Sequence, residues 1–415
     1  MAILNIEEEK MMRPLVGDVS YDIHRIFDFT TAGMIAPNRI IFGCGAIDKV
    51  GEEAAKLGQG RALLISDKVL ENLGALDRIE AHLKKSGFEV LTFTNVEPEP
   101  HAELADTIFE TYAEEGAGVV IGVGGGSVLD ITKLMAMSLA HKIPPRQYCL
   151  AAVDPEPHGI PLILAPTTSG TGSELGGYSV ITIDNDKKPF YVTYADIAIV
   201  DPKLTVSMPA GVTAYTGMDA LSHAIEAIMH KDANPVSDML CLGGIELAGA
   251  NLQRAVADGE DLEARYHMSM AASLGYMGMN MTGVVYAHSA AYVITRYTPT
   301  PHGLGCALAL PYSMAFNIPC SSARLTRIAA AMGEPTDALS ELQAAKRAVD
   351  SIYHLLENIG LPTTLKQYGG IAESDLTAAA EMMIEKYPRP ENPRSMDRNQ
   401  AIRFWRNMWE GSLWF

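Results

Sequence analysis

The stretch Val119-Val120-Ile121-Gly122-Val123-Gly124-Gly125-Gly126-Ser127 decides the fold class of this chain. An apolar run over 119–123 reads as a buried strand, glycines turn the chain, and residues 127–140 continue at helical spacing. A helix opened in this way presents free backbone N–H groups and a positive dipole end to an anion. Glycines at 124, 125 and 126 let the backbone approach a pyrophosphate without side-chain obstruction. Ser127 with Asp130 three positions on resembles a helix N-cap with an acidic third residue. A plain tight turn would use similar residues, and the third glycine of GxGxxG is missing.

Outward from this turn, short apolar runs alternate with amphipathic stretches. Strands are expected over 39–42, 62–66, 89–93, 162–164 and 197–200, and helices over 75–86 and 101–116. That alternation predicts an α/β domain built on a doubly wound, mostly parallel sheet. After Asp201-Pro202 strand signals fade. Residues 212–230, 235–258, 262–281, 321–332, 340–359 and 374–386 all have helical spacing, which predicts an all-α C-terminal domain. The expected organisation is an N-terminal extension over 1–36, a dinucleotide-binding domain over 37–205 and a helical metal-binding domain over 206–415. A seam near 201–209 is where nucleotide-dependent chemistry is commonly placed.

The composition excludes several function classes. At 415 residues, two domains are the natural expectation. A net charge of −18 opposes nucleic acid or anionic membrane as partners, because phosphate-rich surfaces repel it. Five scattered cysteines, without a CxxC pair or metal-site spacing, suit a reducing compartment. Residues 1–10 carry three consecutive glutamates rather than a basic, then apolar, export signal, so a cytoplasmic location is expected.

Two further segments strengthen nucleotide binding. Residues 165–174 read Ala-Pro-Thr-Thr-Ser-Gly-Thr-Gly-Ser-Glu, placing the hydroxyls of Thr167, Thr168, Thr171 and Ser173 after a strand. They could bond phosphate, ribose or a nicotinamide amide, or simply cap a helix. Asp67 ends a strand where a carboxylate can accept from ribose hydroxyls and repel a 2′-phosphate, favouring NAD over NADP. An exposed strand-end aspartate is the plainer alternative.

Metal-ligand residue types cluster later in the chain. Asp219 and His223, four apart, share one face of a helix and can grip one ion. His288 and His302 add two imidazoles, and such a nitrogen-rich set suits Fe(II) or Zn(II) over Mg or Ca. A metal set together with a nucleotide loop points to an oxidoreductase.

From about Pro37 almost to the C-terminus the chain resembles the iron-containing (group III) metal-dependent alcohol dehydrogenases. The resemblance is carried by Gly124-Gly125-Gly126-Ser127 with Asp130 and Lys133, by residues 166–174, by Gly217-Met218-Asp219-Ala220-Leu221-Ser222-His223-Ala224-Ile225-Glu226, and by Pro301-His302-Gly303. It implies a Rossmann-like N-terminal domain, a helical C-terminal domain and homodimers or larger assemblies. It also implies metal ligands at Asp219, His223, His288 and His302, and nucleotide contacts at Asp67, Gly125, Gly126, Ser127, Thr167, Thr168 and Ser173. The implied activity is hydride transfer between NAD(H) and a small primary alcohol or aldehyde. Four protein ligands fill a tetrahedral zinc site, so Fe(II), which expands its shell readily, is the favoured ion.

Many relatives carry a second histidine four residues after the position of His288. Here it is Tyr292, a poorer proton relay near neutral pH because an unperturbed phenol titrates near 10. Arg296 follows, and it could bind the carboxylate or sulfonate of an anionic aldehyde, although a solvated arginine is the more ordinary reading. The competing enzyme class is an NAD- and metal-dependent lyase or cyclase resembling dehydroquinate synthase. A metal-stabilised structural or nucleotide-sensing protein without turnover is the non-enzymatic alternative.

Overall fold

The computed structural model describes residues 27–30, 37–154, 159–184 and 186–413. Its contacts divide the chain into two compact units that meet in sequence between Met208 and Pro209.

The first unit carries β1 (Phe27–Thr30), β2 (Arg39–Phe42), α1 (Val50–Leu57), β3 (Arg61–Ile65), α2 (Lys68–Asn72), α3 (Ala75–Lys85), β4 (Glu89–Phe93) and α4 (Ala102–Tyr112). It continues with β5 (Ala117–Gly124), α5 (Gly126–His141), α6 (Pro145–Cys149), β6 (Leu162–Pro166), β7 (Tyr178–Ile183), β8 (Asp186–Tyr191) and β9 (Ile197–Val200). The sheet runs β1-β2-β9-β6-β5-β3-β4, with only β1 antiparallel to its neighbour, and β7–β8 form a separate hairpin. Leu63, Ile65 and Val120 pack into one core, while Ala62, Leu64, Val119 and Ile121 pack into another on the opposite face. Burial on both faces is why these strands read as continuous apolar runs. The doubly wound expectation holds.

Of the expected extension over 1–36, only 27–30 lies within the described residues. Those residues pair with β2 as a sheet edge, and the alternating Phe-Asp-Phe-Thr pattern is the signal for it. The hairpin was also unexpected, because Pro189 interrupts its second strand.

The second unit contains α7 (Ala210–Met229), α8 (Pro235–Ala257), α9 (Leu262–Asn280), α10 (Tyr286–Tyr297), α11 (His302–Ala331), α12 (Glu341–Asn358), α13 (Leu365–Tyr368), α14 (Leu376–Lys386) and α15 (Arg398–Glu410). They share one apolar core. The helix expected over 321–332 is the tail of α11, whose backbone leaves helical geometry at Ser321 (φ −137°, ψ 17°). Pro311 and Pro319 lie inside α11 and conceal its first half in the sequence. No described helix is long and apolar enough to cross a membrane.

Candidate nucleotide and metal sites

In the first unit, β3 lies between β4 and β5, so the strand order reverses between β3 and β5. Ligands of open parallel sheets bind at the carboxyl ends of strands beside such a reversal. Asp67 follows β3, the glycine turn follows β5, and Thr167 and Thr168 follow the adjacent β6. Ser66 Oγ donates to Val123 O at 2.7 Å, and Thr167 N donates to Gly124 O at 3.0 Å, tying the three strand ends together.

Detailed geometry divides the expected nucleotide residues. A Cβ on Gly124 would lie 2.5 Å from Val128 Cγ2, and one on Gly126 would lie 2.8 Å from Thr171 Cγ2. Both glycines are therefore demanded by packing. Gly125 differs, because its Cβ would sit 3.5 Å from Thr168 and leave room for an approaching ligand. Gly125 is also the N-cap of α5, with no side-chain cap. Ser127 is thus inside the helix rather than at its cap, and its Oγ accepts from Glu99 N at 3.1 Å. The N-cap reading of Ser127 and Asp130 is corrected accordingly.

Asp130 is buried, accepting from Ser173 Oγ at 2.5 Å and Val180 N at 2.9 Å, with Lys133 Nζ 3.1 Å away. Fully buried Lys133 also donates to Ser173 Oγ at 2.7 Å. Asp130, Lys133 and Ser173 form a polar joint beneath the turn, which engages two side chains expected to contact nucleotide. Asp67 caps α2, its Oδ1 accepting from Leu70 N at 3.0 Å.

In the second unit, α7 places Asp219, His223 and Glu226 on one face at spacings of four and three. α10 carries His288 and Tyr292, and α11 begins at His302. The Pro301-His302-Gly303 start has a steric reason. A Cβ on Gly303 would lie 2.2 Å from Tyr215 O and 3.0 Å from Asp219 Cβ, so only glycine lets α11 touch α7 here.

The side-chain donors of Asp219, His288, His302 and Cys306 lie within 4.8 Å of one another. His223 is not in that group, although its ring centroid is 4.9 Å from that of His288. Cys306 is, and the expectation that no cysteine has metal-site spacing is corrected. It follows His302 by four residues, the same helical spacing that pairs Asp219 with His223.

Glu226, which received no role from sequence, organises the cluster. Its Oε2 lies 3.0 Å from His288 Nδ1 and accepts from Val285 N at 2.7 Å, while Oε1 accepts from His288 N at 3.1 Å. It thereby caps α10 from another helix and fixes the His288 tautomer, leaving the Nε2 lone pair facing the cluster. Its seven-residue spacing from Asp219 was the available signal.

Burial dominates the electrostatics of the cluster. Burial pushes the Glu226 carboxyl up to about 7, and desolvation holds His288 well below its ordinary value. Burial would raise Asp219, but His223, His302 and His288, with Cys306 donating to it, hold it below the usual carboxylate range. Asp219 Oδ1, His223 Nδ1 and His288 Nε2 are buried without hydrogen bonds, a cost that a divalent ion would remove. The donor set fits a transition metal.

Tyr292 stacks on His302 at 5.4 Å and 22° and leans on Tyr387 at 5.3 Å. Burial pushes its phenol up to about 12, so it is a wall and hydrogen-bond donor at neutral pH, not a base. Arg296 is exposed at the last turn of α10. Another arginine acts on the cluster instead. Arg389 Nε donates to Ser289 Oγ at 3.0 Å, beside His288, and its charge lowers the titration of Glu226, Tyr292 and His288. Reciprocal amide bonds of 2.9 and 2.8 Å between Asn317 and Asn392 tether this segment to α11.

Residues 37–202 match the model of the iron-containing alcohol dehydrogenases, and residues 213–409 match the C-terminal model of the same family. The chain belongs to the iron-containing alcohol dehydrogenases. It is 35% identical to a 1,3-propanediol dehydrogenase of Citrobacter freundii over 390 residues, covering 92% of this chain and 99% of that one. A crystal structure of a 1,3-propanediol oxidoreductase superposes with a TM-score of 0.84 at 34% identity, covering 93% and 100% of the two chains. The sulfoacetaldehyde reductase of Bifidobacterium kashiwanohense, solved in complex with NAD+, gives 0.81 at 25% identity, with 92% and 98% covered. Membership makes this iron-containing dehydrogenase relative an oxidoreductase of alcohols or aldehydes.

Proposed function

We propose that the chain catalyses reversible hydride transfer between NAD(H) and a small primary alcohol or aldehyde. A divalent metal, preferably Fe(II) with Zn(II) as competitor, would be held by Asp219, His288 and His302 with His223 alongside. The carrying observation is the convergence of buried and partly buried donors on one point, behind which Glu226 fixes His288. When bound there, the ion supplies Lewis-acid polarisation of the substrate oxygen.

The chain's own residues do the rest. Tyr292 forms a flat wall against His302 and keeps its proton. In the other unit, the N-terminus of α5 beside Gly125 suits a pyrophosphate, and the Asp67 carboxylate suits ribose hydroxyls better than a 2′-phosphate. Among the described residues, the single arginine Arg389 beside the cluster does not make the basic patch that a phosphate-bearing lyase substrate would require.

Arg389 favours an anionic aldehyde as the natural substrate, because a guanidinium held beside His288 can pair with a carboxylate or sulfonate. Arg296, exposed at the end of α10, is the weaker candidate. A panel of neutral and anionic aldehydes with NADH tests both levels. Arg389→Ala should raise KM for the anionic members by about 10- to 100-fold and leave the neutral ones nearly unchanged. An equal effect on both classes removes the anion preference, and no NADH oxidation with any aldehyde removes the oxidoreductase assignment to these substrates.

A further inference from the structure

Glu99 stands between the glycine turn and the strand end that carries Asp67, in a backbone conformation that glutamate rarely adopts. Its φ is +58°, in the left-handed region that favours glycine and asparagine. Such strain persists only where surrounding contacts over-determine it, and it collects at ligand sites. The contacts here come from three sides. Glu99 N donates to Ser127 Oγ at 3.1 Å, in the first turn of α5. Val96 N donates to Ser66 O at 3.3 Å and Lys68 Nζ to Thr94 Oγ1 at 3.3 Å, so the loop after β4 is tied to both neighbours of Asp67. Thr182 N donates to Pro100 O at 2.9 Å, and the Glu99 carboxylate pairs with the Lys187 ammonium on β8. A part-exposed carboxylate is thus fixed beside the N-terminus of α5, masking a lysine that is mostly buried.

We propose that Glu99 is a cofactor-selecting residue, whose carboxylate neutralises Lys187 and, with Asp67, makes the site refuse a 2′-phosphate. The proposal rests on the nucleotide reading of this unit and assigns its preference for NAD(H) over NADP(H) to a second carboxylate. Unmasked, Lys187 offers a positive charge and three donors, which a phosphate dianion would accept. Paired with Glu99, that charge is cancelled, and the carboxylate repels a phosphate while still accepting from ribose hydroxyls. Asp67 has less to give, because its Oδ1 is engaged at the N-terminus of α2.

Fluorescence titration of the full-length protein with NADH and with NADPH tests this without turnover. Wild type should bind NADH and bind NADPH far more weakly. Glu99→Gln should tighten NADPH binding by about 10-fold and alter NADH binding much less. Adding Lys187→Ala to Glu99→Gln should cancel the gain. Equal changes for both nucleotides, or no change, overturn the selecting role, as does a gain that survives Lys187→Ala. Equal affinity of wild type for the two nucleotides overturns it too. Failure of wild type to bind NADH at all overturns the nucleotide reading itself. Should Glu99→Gln misfold, Glu99→Asn decides, since asparagine accepts the left-handed conformation. The same gain for NADPH is expected there, and an unchanged ratio of the two affinities refutes the proposal.

Discussion

Glu226 shows how much of a candidate metal site lies one residue behind the residues that would bind the ion. Its carboxylate spends both oxygens on the N-terminus of α10 and the ring of His288, so it sets the position and the tautomer of that histidine together. Glu226→Gln retains the shape but replaces one acceptor oxygen with a donor amide. Metal affinity should fall by about 10- to 100-fold, read by competition with a chelator, while the far-ultraviolet circular dichroism stays unchanged. Wild-type affinity in this variant would mean that His288 is held by other contacts.

Among the elements, the junction of α7 and α11 is tightly constrained. Gly303 allows the first turn of α11 to rest on Tyr215 O, and this seats His302 opposite Asp219, their Nε2 and Oδ1 atoms 4.0 Å apart. Gly303→Ala should cost about 1–3 kcal/mol in chemical denaturation and lower metal content, because the added methyl meets backbone that cannot move aside cheaply. A variant as stable as wild type with full metal content would contradict close approach at this position.

Periodicity made α7, α8, α9 and α12 legible in the sequence, since each repeats apolar residues over several turns. It failed for α10, a twelve-residue helix, and for the first half of α11, where two prolines resemble loop punctuation. Spacing likewise placed Asp219 and His223 on one face of α7. Cys306 is less legible, because it belongs to no CxxC pair and its only ligand-type neighbour in sequence is His302, four residues earlier.

For the whole molecule, the clearest pH-dependent contribution to stability is Glu174, in the loop after β6. It is buried, Oε2 makes no hydrogen bond, and burial pushes its carboxyl up to about 7 despite Lys133 nearby. The folded state therefore holds a proton that the unfolded chain releases near the ordinary value of 4.5. Stability should fall as pH rises from about 4.5 to 7 and then level off. Glu174→Gln should remove that slope, gaining about 1–3 kcal/mol over wild type at pH 8 and little at pH 4. Parallel denaturation curves for the two proteins at both pH values would refute a raised Glu174.

The sheet order, the glycine turn and the metal donors identify one reaction only if metal and turnover are lost together. The most direct measurement is NADH consumption with a small aldehyde, made on metal-stripped protein before and after Fe(II) is restored, for wild type and His302→Ala. Stripped wild type should be inactive and recover with Fe(II), and His302→Ala should neither retain iron nor recover. Full turnover in metal-free wild type, or in an iron-free His302→Ala protein, would contradict the metal-supported mechanism.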